Sequence, residues 1–133
     1  MKRLMYLLSL AVFLACAAAA LPRPAQIDLS GTWEGTAQVP NVADLDKITM
    51  VLEKSGETYT GRISDSVGYA TDAKLENVEF KENKLSFSFQ IFSGSEYQGT
   101  YVSLNVEGNR MSGSWQDDSG SSGAIVLEKQ PPA

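Results

Sequence analysis

The chain has 133 residues and a net charge of −5 at pH 7, with no histidine and one cysteine. An acidic chain without basic clusters offers no footprint for phosphate backbones or anionic membranes. Without histidine, and with a single cysteine, His-based triads, disulfide frameworks and ordinary zinc sites are excluded, so no metal, no cofactor and no nucleic-acid partner is expected.

Lys2 and Arg3 precede an apolar run from Leu4 to Cys16, and Ala17 to Ala20 supply a small-residue exit. A charged start, an apolar stretch and an A-x-A site form a signal peptide, with cleavage expected after Ala20. The run is short for a membrane span, and Pro22 and Pro24 bar its continuation as helix. Residues 1–20 are therefore read as leader, and no membrane span is expected in the mature protein. The alternative is a lipoprotein acylated at Cys16; Phe13-Leu14-Ala15 is a poor match for the small aliphatic triplet that such leaders carry. The expected location is secreted or periplasmic. Residues 21–27 read as a linker, 28–129 as one domain and 130–133 as a disordered tail.

Within the domain no segment has a helical period. Short runs with period-2 alternation are separated by Gly, Asn, Asp and Ser, which predicts strands. In chain order these fall at about 31–39, 47–53, 57–64, 75–81, 84–91, 96–106, 109–116 and 122–129. The clearest is Lys84 to Ile91, where Leu85, Phe87, Phe89 and Ile91 share one face. Ser55-Gly56, Glu82-Asn83, Ser93-Gly94-Ser95 and Gly108-Asn109 carry the turn chemistry of tight hairpins. Pro40 to Asp46 is a wide loop in which Val42-Ala43 and Leu45 could form a lid turn, and Asp117 to Gly123 is a longer polar loop.

A pattern of apolar-x-Gly-x-apolar occurs at Leu29 to Trp33, Tyr59 to Ile63, Tyr97 to Tyr101 and Met111 to Trp115. Glycine inside a strand weakens it unless it serves geometry, such as sharp coiling in a small barrel. The fold class is therefore all-β, a single up-and-down antiparallel barrel of about eight strands, preferred to an open sandwich. Tyr97, Gly99 and Tyr101 are out of phase with Val102, Leu104 and Val106, so a bulge is expected near Tyr101-Val102.

The two Gly-x-Trp elements, Gly31-Thr32-Trp33 and Gly113-Ser114-Trp115, resemble those of lipocalin- and avidin-like barrels. A nearer resemblance is to the barrel domain that precedes the catalytic domain in some secreted bacterial α/β-hydrolases. That domain similarly opens Ser-Gly-x-Trp-x-Gly, here Ser30 to Gly35, and closes with Gly-x-Trp and a strand like Leu127-Glu128-Lys129. The resemblance implies a fold and an exported setting, not hydrolase activity. Glu34-Gly35-Thr36 replace the polar residues with which avidins hold biotin, so biotin binding is not carried over. Nor do inward arginines match those of fatty-acid carriers, since Arg62 and Arg110 fall on the outer face.

Acidic pairs are the only catalytic material: Asp44 with Asp46, Glu76 with Glu79, and Asp117 with Asp118. Glycoside chemistry needs two carboxylates converging across a cleft, which neighbours on a strand do not provide. All six are read as solvated surface charge. Asp117 to Ser121 lacks the alternating carboxylates of a calcium loop, and no serine sits in a nucleophile elbow. Trp33 and Trp115 are in phase with the core and read as structural. No catalytic or metal residue is assigned, and the ligand-binding residues are unknown.

The inward set is Trp33, Ile48, Met50, Leu52, Tyr59, Ile63, Val78, Phe80, Leu85, Phe87, Phe89, Ile91, Leu104, Met111, Trp115, Ile125 and Leu127. An interior this crowded is expected to leave at most a small pocket near one end, with voids beside the glycines at 31, 61, 99 and 113. The leading expectation is a monomeric, non-enzymatic, exported barrel that binds a small molecule or protein partner. The alternative is an accessory or inhibitor domain docking on a separate secreted hydrolase or protease, with Val42, Leu45, Val67, Tyr69 and Phe92 as its apolar patch. The leader reading is checked by intact mass: the exported protein should begin at or near Leu21, and a diacylglyceryl-modified Cys16 at the N-terminus would make it a lipoprotein.

Overall fold

The computed structural model describes residues 27–92 and 94–132. The leader, Cys16 and residues 21–26 of the linker lie outside the described residues, as does Ala133. The described residues form nine antiparallel strands: β1 (Gly31–Ala37), β2 (Asp46–Ser55), β3 (Thr58–Asp65), β4 (Ala73–Lys74), β5 (Glu76–Lys81), β6 (Lys84–Phe92), β7 (Tyr97–Glu107), β8 (Arg110–Asp117) and β9 (Ser122–Lys129). Their order in the sheet is β4-β3-β2-β1-β9-β8-β7-β6-β5. Among the described residues no helix is long and apolar enough to cross a membrane.

β4 and β5 form one strand interrupted at Leu75, and this strand carries the seam. β4 pairs with β3 through Arg62↔Lys74 and Ile63↔Ala73, while β5 pairs with β6. Between them the Leu75 amide donates to the Gly61 carbonyl at 2.9 Å, and Thr58 Oγ1 donates to the Val78 carbonyl at 3.2 Å. The nine strands thus circle into a nearly closed up-and-down barrel, in which β4 and β5 count as one of eight walls. An extra residue in β5 between Glu76 and Glu79 shifts the register, and Asn77 there takes φ 51°. This irregularity lets the strand change partner from β3 to β6.

The two ends of the barrel differ in their connections. At one end, β2–β3, β5–β6 and β7–β8 are joined by two-residue turns, as the pairs Ser55↔Thr58, Lys81↔Lys84 and Glu107↔Arg110 define. Glu82 and Asn83 both have positive φ, 55° and 62°, the signature of a type I′ hairpin turn. At the other end the connections span 38–45, 66–72, 93–96 and 118–121. In the first of these the Val42 amide donates to the Val39 carbonyl, with Pro40 and Asn41 (φ 64°) in the central positions, where a type II turn places Pro and Asn.

The short-turn end is plugged. Gly31, at φ 130°, turns the chain beneath the barrel in a conformation that a side chain would resist. Leu29 consequently enters the core fully buried, its amide donating to the Tyr59 hydroxyl at 3.1 Å. Its carbonyl accepts from Trp33 Nε1 at 2.9 Å, and Lys129 Nζ donates to the Asp28 carbonyl at 3.0 Å. The Tyr59 hydroxyl and the Trp33 indole, both buried here, thus have partners, as buried polar groups require.

The core follows the expected inward set: all of its members are buried, with Val78, Phe80, Ile91 and Trp115 only partly so. Leu29, Ala37, Ala70, Leu75, Val102 and Val106 complete it. The bulge expected near Tyr101-Val102 is absent. β7 pairs without interruption with β6 and β8, Thr100, Val102, Leu104 and Val106 point inward, and Tyr97 and Tyr101 stay outside. The third glycine element thus faces out: the Gly99 amide donates to Asp118 Oδ2 at 2.8 Å, and a Cβ there would stand 2.9 Å from the Tyr101 hydroxyl.

The inward glycines mark contacts between strands, not voids. A Cβ on Gly35 would be driven into the Val126 carbonyl, one on Gly61 into that of Val51, and one on Gly113 into that of Ser103. Such approach is the cost of coiling strands around a narrow barrel. Gly113→Ala should therefore cost about 3 kcal/mol or more. Gly108→Ala, at φ 59° in an open turn, should cost only about 1–2 kcal/mol. Urea midpoints of the two variants test the contrast, and equal midpoints would refute the close-packed reading of Gly113.

Candidate functional site

The long-loop end holds a half-open cavity of about 400 Å³. It lies where β1, β3, β6 and β8 end and β2, β7 and β9 begin, and each of these strands lends it at least one side chain. Its wall is apolar, built from Ile48, Ile63, Phe89, Ile91, Val102 and Ile125, and its rim includes Pro40, Asn41, Tyr69 and Phe92. The void sits near one end, as expected. It arises from small residues at the wall, Ala37, Ala70 and Thr100, and none of its lining residues is a glycine.

Two carboxyls are placed in this wall. Asp46 opens β2 on the parity of Ile48, Met50 and Leu52, and so points inward with 4% exposure. Its Oδ1 accepts from the Ser66 hydroxyl at 2.8 Å, the Ser66 amide at 3.1 Å and the Val67 amide at 3.3 Å. Asp65 closes β3 on the parity of Tyr59 and Ile63, and its Oδ1 accepts from the Ala70 amide at 2.9 Å. The pairing of β2 with β3 sets Asp65 opposite Ile48, which makes the Asp46 carboxyl its neighbour in the cavity wall. Burial, aided by the neighbouring Asp46 carboxylate, pushes Asp65 up from 3.8 to about 6. A proton held by Asp65 is then donated to Asp46, as carboxyls forced together require.

Thr100 stands on the far wall. In the ring, β7 lies four strands from β2, the strand of Asp46, in either direction when β4 and β5 are taken as one. Thr100 is 5% exposed and lines the cavity, and its hydroxyl has no hydrogen-bond partner. An unpartnered buried hydroxyl is destabilising by about 1–3 kcal/mol. Gln98 and Asp117 add polar groups at the mouth. Asp117 is already engaged, its Oδ1 accepting from the Ser119 hydroxyl at 2.6 Å and from the Ser119 and Ser121 amides at 3.0 Å.

The acidic residues thus divide. Asp44, Glu76, Glu79 and Asp118 are exposed, as read from the sequence, and Asp117 is half-buried in its turn. Asp46 is not surface charge: placed in a loop by the sequence reading, it is the first inward residue of β2, because the strand begins earlier than expected. Asp65 and Thr100 escaped notice altogether, although period 2 counted back from Val102 and on from Ile63 leads to both. Trp33 is structural and fully buried. Trp115 is partly so and also lines the cavity, its indole N–H donating to the Gln38 carbonyl at 2.9 Å. Among the described residues no group of three or more His, Cys, Asp or Glu could hold a metal ion.

The carboxyl pair has a consequence for stability. Because folding raises the Asp65 value, the folded chain holds a proton there that the unfolded chain has released between about pH 4 and pH 6. This contribution is whole below the unfolded value and is lost as pH rises through about 6. Asp65→Asn, which keeps a donor toward Asp46 at every pH, should match the wild type near pH 4. It should exceed it at neutral pH by about 1 kcal/mol, a figure reduced for the solvent that reaches this half-buried group. Denaturant midpoints across pH measure this, and a constant difference between the two proteins would overturn the pairing.

No protein-family model and no curated protein matches the chain. Among solved structures it is similar to a redesigned β-barrel, with a TM-score of 0.61 and 15% identity over 77% of this chain and 92% of that one. A redesigned β-barrel bound to DFHBI gives a TM-score of 0.57 at 11% identity, over 76% and 94% of the two chains. A de novo designed fluorescence-activating β-barrel gives 0.53 at 16% identity, over 76% and 93%. At such identities the likeness is one of fold, and it agrees with the small β-barrel that the strand order describes.

Proposed function

We propose that this protein is an exported, non-enzymatic binding barrel that takes a small, largely apolar molecule into the cavity at its long-loop end. The observation that carries the reading is the asymmetry of the barrel: one end plugged by Leu29, the other opening on a cavity of about 400 Å³ with an apolar wall and a few polar groups. Ligand sites have this composition, apolar surface with sparse polar groups that fix orientation. One of the solved barrels of similar fold holds the small molecule DFHBI. Export rests on the leader pattern of residues 1–20. Binding without catalysis is favoured because Asp46 and Asp65 are neighbours in one wall, whereas glycoside chemistry needs two carboxyls converging across a cleft.

A second reading, docking on a secreted hydrolase or protease, draws on the rim. Val42, Leu45, Val67, Tyr69 and Phe92 are each 42–54% exposed and belong to the long-loop end, where the tilted rings of Phe92 and Tyr97 meet with centroids 5.3 Å apart.

The neutral dye N-phenyl-1-naphthylamine separates the two. Residues 21–133 should bind it with enhanced, blue-shifted emission at an affinity on the order of micromolar. Ala37→Trp, which fills the cavity from β1, should abolish this while leaving the β circular dichroism intact. Undiminished binding by that variant would place the dye on the apolar rim and favour docking, and no binding by the wild type would overturn the ligand cavity.

A further inference from the structure

We propose that the cavity selects a cationic ligand, a compact apolar or aromatic body whose ammonium group lodges against Asp46 and Asp65. The inference rests on the cavity being the ligand site and specifies the chemistry that site recognises. The charged side chains among the described lining residues are Asp46, Asp65 and Asp117, and none is Lys or Arg. Neither Asp46 nor Asp65 enters an ion pair within the described residues, whose two salt bridges join Arg62 to Asp72 and Arg110 to Glu128 on the outer surface. The nearest cations along the two strands, Lys47 and Arg62, have the opposite parity and are exposed. Two neighbouring carboxyls in a wall, without a counter-charge, disfavour joint ionisation. A ligand ammonium would supply the missing charge together with donors for the remaining carboxylate lone pairs.

Thr100 gives an independent indication that the cavity is fitted to a polar ligand. It is only 5% exposed, it points inward on β7, and its hydroxyl is left unpartnered. The wall opposite the carboxyls therefore holds, at a lining residue, a buried hydroxyl that the barrel itself does not use. Between the two walls the apolar surface of Ile48, Ile63, Phe89 and Ile125 suits a hydrocarbon or aromatic body. The net charge of −5 adds a general attraction for cations approaching the mouth.

Calorimetric titration with three near-isosteric probes tests the charge preference: tryptamine, tryptophol and indole-3-acetate, which are cationic, neutral and anionic at neutral pH. Tryptamine should bind at least about tenfold more tightly than tryptophol, the scale of one partly buried charge pair, with indole-3-acetate the weakest. Asp65→Asn should bring tryptamine down toward the level of tryptophol, and added salt should do the same in part. Equal affinities for tryptamine and tryptophol, or a tryptamine preference untouched by Asp65→Asn, would overturn the proposal. If none of the three binds while N-phenyl-1-naphthylamine does, cation selection fails and the cavity stands as an apolar site. If the dye fails as well, the ligand reading falls with it.

Discussion

The structure depends on one constraint: a ring this narrow must bring neighbouring backbones closer than most side chains allow. The carbonyls of Val126, Val51 and Ser103 stand where a Cβ of Gly35, Gly61 or Gly113 would be. With glycine in those places the strands coil far enough for β1 to meet β9 while the interrupted strand β4–β5 reaches both β3 and β6. The same curvature brings Trp33, Met50, Leu52, Leu85, Leu104, Met111 and Leu127 into one fully buried layer. Flatter strands would leave that layer half in water, at a loss of about 1.5–3 kcal/mol for each large side chain exposed.

Given the ring, the division into a closed and an open end follows from the turns. Two-residue hairpins hold the strands together at one end, and the Gly31 turn tucks Leu29 under them. At the other end longer connections keep the strand ends free of such a plug, and Ala37, Ala70 and Thr100 leave space that bulkier residues fill elsewhere. The polar groups collected there are the ones a packed core would reject, a carboxyl pair and an unpaired hydroxyl. Their tolerance in an otherwise well-satisfied barrel is what distinguishes a site from a defect in packing.

Much of the fold was legible because period-2 alternation is strong where one strand face is wet. The β6 pattern of Leu85, Phe87 and Phe89, and the β9 span 122–129, needed no tertiary information. The tight turns at Gly56, Glu82-Asn83 and Gly108 carried their own chemistry. The phase of β7 misled because tyrosine is as much at home on an outer strand face as in a core; only the neighbouring Asp118 shows why Tyr101 lies outside. The site was less legible. Asp46 looked like a loop residue because a charged side chain at the start of a strand ordinarily faces water. That Asp65 meets it depends on the β2–β3 register, which fixes a contact between residues far apart in sequence. Thr100 reveals itself by parity alone, and parity was the quantity misjudged on that strand.

The pairing of Trp33 to Ala37 with Ile125 to Lys129 joins the first strand of the barrel to its last. Every other wall is formed between sequence neighbours and can assemble as a hairpin or meander from local contacts. The β1–β9 wall cannot, and it carries the largest loop-closure entropy in the molecule, so the rate of folding is set by a contact of high sequence separation. A chain emerging from its N-terminus would accumulate strands with a hydrophobic inner face and two open edges until Lys129 was available. Pairing with a second chain's edge is the hazard of that interval. In the finished ring both edges of β1 and β9 are consumed, and it is the last strand to arrive that removes them.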